Sequence, residues 1–260
     1  MVREIHNGLL AAVQTEPNIA TLLQVIKCLT ILAGTAPYPR LTSGFLTRIT
    51  SRMHVLLSHQ DASIRTAALA CLATVMAVKI STPELQSLLV VSDLENADRY
   101  SPTQLVTDII NIATTASPFV RVEALLVLSR IATSHTRIFN HLWELISAVL
   151  QQCMSDSESR VRLQACKCIE AYTKATATGM NGVVTQQLPS GGAAAADEDE
   201  DDSAALQLSE TDVKALSELW DELLVKHLPL VSDDTAPLVR ASQCNIYSYI
   251  PPQVFAHMKV

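Results

Sequence analysis

Apolar residues recur along most of this chain at spacings of three and four, the period of an amphipathic helix with one buried face. The helical stretches come in pairs, and the second member of four pairs carries one arginine near its start. In three copies an aliphatic residue precedes the arginine, while alanine and another aliphatic residue follow it by three and seven positions, so these positions share one helix face. The copies are SIRTAALACL (63–72), FVRVEALLVL (119–128), RVRLQACKCI (160–169) and the looser LVRASQCNIY (238–247).

A first amphipathic stretch precedes each arginine-bearing stretch, and a further pair without the arginine opens the chain. One gap between consecutive arginines, from Arg121 to Arg162, corresponds to a single repeat of about 40 residues, the length of a two-helix solenoid repeat. The pattern predicts an all-α protein, a right-handed α-solenoid of stacked helix pairs. The first stretches are 45–57, 103–113, 142–154 and 216–228, and the opening pair is 2–13 with 18–34.

The other two gaps between arginines are longer than one repeat and indicate insertions. We predict repeats over residues 1–178, with an inserted loop at about 80–102. Residues 179–205, rich in Gly, Ala and acidic side chains, are predicted to form a disordered linker. Residues 206–260 are then a further repeat that is truncated at its C-terminal end.

Composition supports a folded helical protein and argues against two classes of partner. Hydrophobic residues make up 48% of the chain, charged residues 17% and aromatic residues 4%, a mix that suits helices packed on helices. The sequence shows no Lys/Arg cluster or basic amphipathic helix, so nucleic acid is not expected as a partner. Uncharged stretches are too short or too broken by proline to span a bilayer, and no membrane partner is expected.

The candidate reactive side chains do not form a chemical motif. The cysteines lie in apolar helical patterns without a C-x-x-C spacing, which predicts reduced thiols in a cytoplasmic or nuclear protein. Cys166 and Cys168 are two positions apart, and on a helix they point about 200° from each other, which is the wrong geometry for one metal. The seven histidines are scattered and match no metal or catalytic motif. We therefore expect no enzyme activity, no metal and no cofactor.

One run of six carboxylates supplies most of the net charge of −7. Clustered like charges repel each other and cannot bury apolar surface, so one interpretation is a solvated tether between repeats. The other is an electrostatic site for basic protein segments. The residues of this acidic run are Asp197, Glu198, Asp199, Glu200, Asp201 and Asp202.

The turn before each arginine carries a resemblance to a known family. A polar turn with Asp six residues before the arginine, then Val-Arg-x-x-Ala and a long apolar helix, resembles the HEAT repeat. Asp156 and Asp234 keep that spacing, whereas His59 and Thr115 stand there in the other two copies and depart from the pattern. The resemblance implies that the arginines begin the second helices and hydrogen-bond a neighbouring turn, a structural role rather than ligand binding. They are Arg65, Arg121, Arg162 and Arg240.

A solenoid uses most of its residues for packing between neighbours and presents an extended surface. The sequence therefore predicts a non-catalytic scaffold for protein–protein interaction. Two alternatives stay open: an adaptor resembling nuclear transport receptors, whose acidic loop binds basic segments, and a regulatory subunit of an enzyme complex. Apolar residues in the first helix and a helix-like start at PPQVFAHMKV predict an internal piece of a longer array, which would contact neighbouring repeats of the parent chain.

Overall fold

The computed structural model describes residues 2–37, 44–78, 83–92, 100–183 and 210–255. These residues form thirteen α-helices and one pair of short strands. The helices are α1 (Val2–Thr15), α2 (Ile19–Thr35), α3 (Phe45–Leu56), α4 (Ala62–Met76), α5 (Pro83–Leu89), α6 (Gln104–Thr115), α7 (Pro118–Ser134), α8 (Thr136–His141), α9 (Trp143–Met154), α10 (Ser159–Val183), α11 (Glu210–Glu222), α12 (Pro237–Tyr247) and α13 (Pro252–Phe255). The strands are β1 (Val90–Ser92) and β2 (Tyr100–Pro102).

The helices pair in the predicted order and stack in two layers. The second helices α2, α4, α7, α10 and α12 pack each on the next and form one continuous layer. The first helices α1, α3, α6, α9 and α11 form the other layer. In it α1 contacts α3 and α6 contacts α9, whereas α5 lies between α3 and α6, and the turn after α11 (Leu223–His227) contacts α9. This arrangement confirms the α-solenoid predicted from the helical period.

Polar side chains and prolines set where the helices begin. Asn18, Asp61 and Thr103 stand immediately before α2, α4 and α6, and each accepts a hydrogen bond from a backbone N–H in the first turn. Pro118 and Pro237 occupy the first positions of α7 and α12, where a missing N–H costs nothing. The turns between paired helices are therefore fixed by local chemistry.

The core follows the repeated pattern of the second helices. The aliphatic residues just before the four arginines are fully buried, as are the alanines and aliphatic residues that follow in the first three copies. In the fourth copy those two downstream positions are Gln243, which is buried, and Tyr247, which is exposed. Gln243 Nε2 donates to the carbonyl oxygen of Leu228 at 3.1 Å. The looser fourth copy thus replaces an apolar contact with a satisfied polar one.

The segment predicted as an inserted loop at about 80–102 contains α5 and an antiparallel pair of strands, with Val90 opposite Pro102. The carboxylate of Glu84 accepts from the backbone N–H groups of Gly44 and Thr47 at 2.9 and 2.8 Å, which caps α3. Burial raises the pKa of Glu84, but these hydrogen bonds outweigh it and hold the pKa below its usual value. The insertion is therefore tied to the repeat before it.

The second insertion lies between two repeats that pack on each other. α10 continues through Val183, beyond the predicted boundary at 178, and α11 begins at Glu210. The acidic run 197–202 lies outside the described residues. After α11 the chain passes through a π-turn (Leu223–His227) and a 3-10 turn (Leu228–Val231) into α12, which packs directly on α10.

Candidate binding surface on the second helices

Three of the repeat arginines close the turn that precedes their own helix. Arg65 Nη1 donates to the carbonyl oxygens of His59 and Gln60 at 2.7 and 2.9 Å. Arg162 and Arg240 make the equivalent bond to the carbonyl oxygen six residues before each of them. A guanidinium in the first turn of a second helix thus satisfies carbonyl groups that the turn leaves without partners.

Two arginines also bind the turn of the following repeat. Arg162 Nε and Nη2 donate to the two carboxylate oxygens of Asp234 at 2.5 and 2.8 Å, and Arg121 Nη1 donates to the carboxylate of Asp156. The side chain of Asp234 is only 3% exposed. The hydrogen bond from Arg162 lowers the pKa of Asp234 and outweighs the opposing effect of burial. These pairs form a two-rung Arg–Asp ladder that joins repeats.

The ladder stops where the turn lacks a carboxylate. In the repeat that follows Arg65, Thr115 occupies the turn position that holds an aspartate in the later repeats. Its hydroxyl donates to the carbonyl oxygen of Asn111 at 2.7 Å. His59 Nδ1 accepts from the backbone N–H of Asp61 at 3.0 Å, so it serves its own turn. Among the described residues, Arg65 hydrogen-bonds no carboxylate. Within the described residues, no Arg–Asp rung therefore joins the repeat of Arg65 to the next one.

An apolar groove of about 680 Å³ opens on the second-helix layer between α2, α4 and α7. Most of its lining is aliphatic or small, and two large apolar side chains at its edge are exposed to solvent: Ile31 by 65% and Phe119 by 68%. Exposed side chains of this size beside a groove are typical of a surface that binds another molecule. We call this site the second-helix groove, and its walls include Leu23, Lys27, Ile31, Thr66, Ala70 and Phe119.

A row of cations continues from the groove along α10. Arg160, Lys167 and Lys174 are exposed, and their spacing of seven residues places them on one side of the helix, about two turns apart. The guanidinium carbon of Arg160 lies 5.7 Å from the ring centroid of Phe119, so the row begins at the edge of the groove. We call these three residues the basic row. Their spacing on a predicted helix is a signal that a search for contiguous Lys/Arg clusters misses.

Two carboxylates on the same layer offset only part of the charge of these three cations. Burial raises the pKa of Glu123. Glu170 accepts from Ser242 Oγ at 3.2 Å and from Asn245 Nδ2 at 3.5 Å, so it joins α10 to α12. The exposed charge on the second-helix face of α10 is therefore positive, although the whole chain is acidic.

Side chains of the types used in hydrolases meet elsewhere, between α9 and the π-turn. Ser147 Oγ donates to Glu222 Oε1 at 2.9 Å and lies 3.2 Å from His227 Nε2, while Trp143 Nε1 donates to Glu222 Oε2 at 2.9 Å. Ser147 and His227 are both buried, so no substrate can reach the hydroxyl group. The cluster acts as a polar link between the first helices of two repeats.

Four of the six cysteines are buried in the core. Burial raises the pKa of Cys71 and Cys153 to about 11, and that of Cys166 and Cys168 to about 12, so all four are neutral thiols at physiological pH. Within the described ranges, no group of three or more His, Cys, Asp or Glu side chains is placed to hold a metal ion. Burial in the core explains why these cysteines follow the apolar pattern.

Three buried histidines are expected to make the fold sensitive to mild acid. Burial lowers the pKa of His6, His135 and His227. The unfolded chain, with histidine pKa values of about 6.5, then binds protons first as the pH falls. Stability should be level above about pH 6.5 and decline below it, by up to about 1.4 kcal/mol per pH unit for each histidine. Urea unfolding between about pH 7.5 and about pH 5.5 measures this.

His6 offers the sharpest variant for that measurement, because neither ring nitrogen has a hydrogen-bond partner among the described residues. Its ring packs edge-on against Phe45 at 4.6 Å between centroids. His6→Leu should reduce the pH dependence of the free energy of unfolding. An equal slope in the parent and the His6→Leu variant would contradict the assignment for that residue.

None of the helices in the described part of the chain is long and apolar enough to cross a bilayer. The comparison with family models gives two matches. Residues 1–85 match a domain of unknown function (DUF4042), and residues 145–175 match the HEAT repeat. The second match spans most of α9 and about the first two thirds of α10, including Arg162. Neither description names a catalytic activity.

Solved structures with a similar fold include designed armadillo repeat proteins. One, in complex with the peptide (KR)4, superposes with a TM-score of 0.56 at 12% sequence identity, covering 94% of this chain and 80% of that chain. Another has a TM-score of 0.47 at 13% identity, covering 96% of this chain and 100% of that chain. Together with the stacked helix pairs, the first superposition and the HEAT match identify the fold as a right-handed α-solenoid of HEAT/armadillo-like helix pairs.

Proposed function

We propose that this chain is a non-catalytic scaffold that binds a segment of another protein on its second-helix face. The observation that carries the proposal is the second-helix groove, where Ile31 and Phe119 remain mostly exposed beside aliphatic walls. Large apolar side chains gathered at one groove are uncommon on a surface without a partner. The designed armadillo protein with a similar fold is in complex with a peptide, which supports this mode of binding.

A selection of random peptides tests the proposal without requiring a candidate partner. A phage-displayed library of random dodecapeptides, selected on the full chain, should yield peptides that lose binding to the double variant Ile31→Ser/Phe119→Ser. Val55→Ser is the matched control, because Val55 on α3 is exposed by 68%, as is Phe119, but belongs to the first-helix layer. Failure to enrich any peptide, or equal binding to the groove variant, would contradict the proposal.

A second candidate function concerns the acidic run 197–202. Six contiguous carboxylates create a field that attracts basic segments and is screened over about 10 Å at 0.1 M salt. On this basis we propose an adaptor similar to a nuclear transport receptor as the alternative to a simple scaffold. Replacing all six by Ser should abolish binding of a basic peptide at low salt, and unchanged affinity would contradict it. Binding of a nucleotide-loaded small GTPase would favour the adaptor over a scaffold or a regulatory subunit.

We also propose a relative of this chain and the cellular compartment in which the chain lies. The segments 2–10, 24–41 and 238–258 resemble the central region of HEAT repeat-containing protein 6. Free cysteines, which include the exposed Cys28 and Cys244, are typical of a reducing compartment such as the cytoplasm or nucleus. Immunofluorescence of the tagged chain tests the location.

A further inference from the structure

We propose that the second-helix groove and the basic row act as one site for an acidic–apolar segment, which presupposes that the proposed peptide binding holds. In such a segment a bulky apolar residue enters the groove, and Asp or Glu side chains a few positions away reach Arg160 and Lys167. The expected ligand is therefore acidic, whereas the ligand expected for the acidic run of the same chain is basic.

The two halves of the site are continuous. Phe119 forms an edge of the groove, and its ring is 5.7 Å from the guanidinium carbon of Arg160, the first cation of the basic row. Both side chains are exposed, so one ligand can cover both. A peptide that leaves the groove in the direction of α10 meets this cation first and Lys167 two helical turns later.

Charge complementarity selects an acidic segment. Three exposed cations on α10 outnumber the carboxylates of Glu123 and Glu170 on the same layer, and Glu170 is engaged by Ser242 and Asn245. Carboxylates of a ligand would find hydrogen-bond donors at Arg160 and Lys167, and cations of a ligand would be repelled.

The geometry also predicts the spacing of the motif. Neighbouring helices in such a layer lie about 8–10 Å apart. The path from the groove to the basic row crosses one or two neighbouring helices, which is a distance of about 10–20 Å. An extended chain advances about 3.3 Å per residue, so the acidic residue should follow or precede the apolar anchor by about three to six positions.

A protein segment fits this site better than a nucleic acid. The groove offers aliphatic walls for an apolar side chain, and a nucleic acid would leave these walls without a matching partner. Nucleic-acid surfaces bind several successive phosphates with many cations, whereas this row has three in about 20 Å. Single-stranded RNA is therefore a suitable competitor, and its binding would count against the proposal.

The peptides selected on the full chain provide the test. They should carry a bulky apolar residue and an Asp or Glu about three to six positions from it. Fluorescence anisotropy of one such peptide, labelled with fluorescein, should show binding weakened about tenfold or more by Arg160→Glu/Lys167→Glu at low salt. Arg160→Gln/Lys167→Gln should give a smaller loss. Lys214→Glu, an exposed charge reversal on α11 in the first-helix layer, is the matched control and should change the affinity less than twofold.

The possible failures are distinguishable. The acidic–apolar site is wrong, while the proposed function stands, in either of two cases. In the first, groove-dependent peptides are enriched but show no acidic bias. In the second, Arg160→Glu/Lys167→Glu leaves binding unchanged. If no peptide depends on the groove, both are wrong. Displacement of the peptide by an oligouridine 12-mer, with equal sensitivity to Arg160→Glu/Lys167→Glu, would instead assign the row to nucleic acid and overturn the proposal. Thermal unfolding of each variant verifies that a lost signal is not a lost fold.

Discussion

Replacing Arg162 by alanine is expected to lower the free energy of unfolding by about 3 kcal/mol. The substitution removes both bonds to the carboxylate of Asp234 and leaves that carboxylate nearly buried without its cation. It also frees the carbonyl groups of the turn before α10. Urea unfolding of the full chain, monitored by circular dichroism, measures the change.

Arg65 provides a control, because it occupies the position equivalent to Arg162 in an earlier repeat. Its guanidinium binds the carbonyl groups of its own turn and, within the described residues, no carboxylate. Arg65→Ala should therefore cost about 1 kcal/mol. A double-mutant cycle of Arg162→Ala with Asp234→Ala should show a coupling of about 1–3 kcal/mol. Equal costs for the two arginines, or no coupling, would show that the ladder adds nothing to the turn contacts.

Phe139→Ala is expected to cost about 4 kcal/mol, more than either arginine substitution. Phe139 on α8 is fully buried, and its ring lies 4.8 Å from that of Tyr172 and 6.2 Å from that of Trp143. Alanine leaves a cavity between α8, α9 and α10 that rigid neighbouring helices cannot refill. Thermal or urea unfolding measures the loss.

Phe119→Ala makes the same chemical change at an exposed position. Phe119 keeps about two thirds of its surface in solvent and contacts Arg160 by its ring face. Its replacement should alter stability by less than about 0.5 kcal/mol while removing an edge of the groove. If the two phenylalanine variants lost similar stability, the burial assigned to α8 would be wrong.

The positions of the second helices could be predicted because their signal is repeated. Val120 and Val161, just before two of the arginines, are buried by the same packing in each repeat, so one rule covers several helices. The short helix α8 escaped prediction because its six residues are too few to display a helical period. The strands β1 and β2 escaped for the same reason, since three residues show no alternation.

The ladder partners could be predicted only in part. The sequence indicates that the arginines bond a neighbouring turn, and for Arg65, Arg162 and Arg240 the carbonyl acceptors lie in the turn before their own helix. The carboxylates of Asp156 and Asp234 are instead reached from the repeat that precedes them, by Arg121 and Arg162. The spacing of residues within one repeat does not predict these Arg–Asp pairs, because the pairs depend on how far one repeat is displaced from the next.

The direct packing of α12 on α10 separates two kinds of length change in this chain. Residues 184–209 lie between two repeats that already pack on each other through α10 and α12, so an insertion or deletion there should not alter the distance between these repeats. A single residue added inside α10, between Arg162 and Lys167, would instead rotate everything after it by about 100° around the helix axis. It would separate the arginine that holds Asp234 from the surface on which Lys167 lies. Gaps among natural variants should therefore accumulate at the junction and be absent from that stretch of α10.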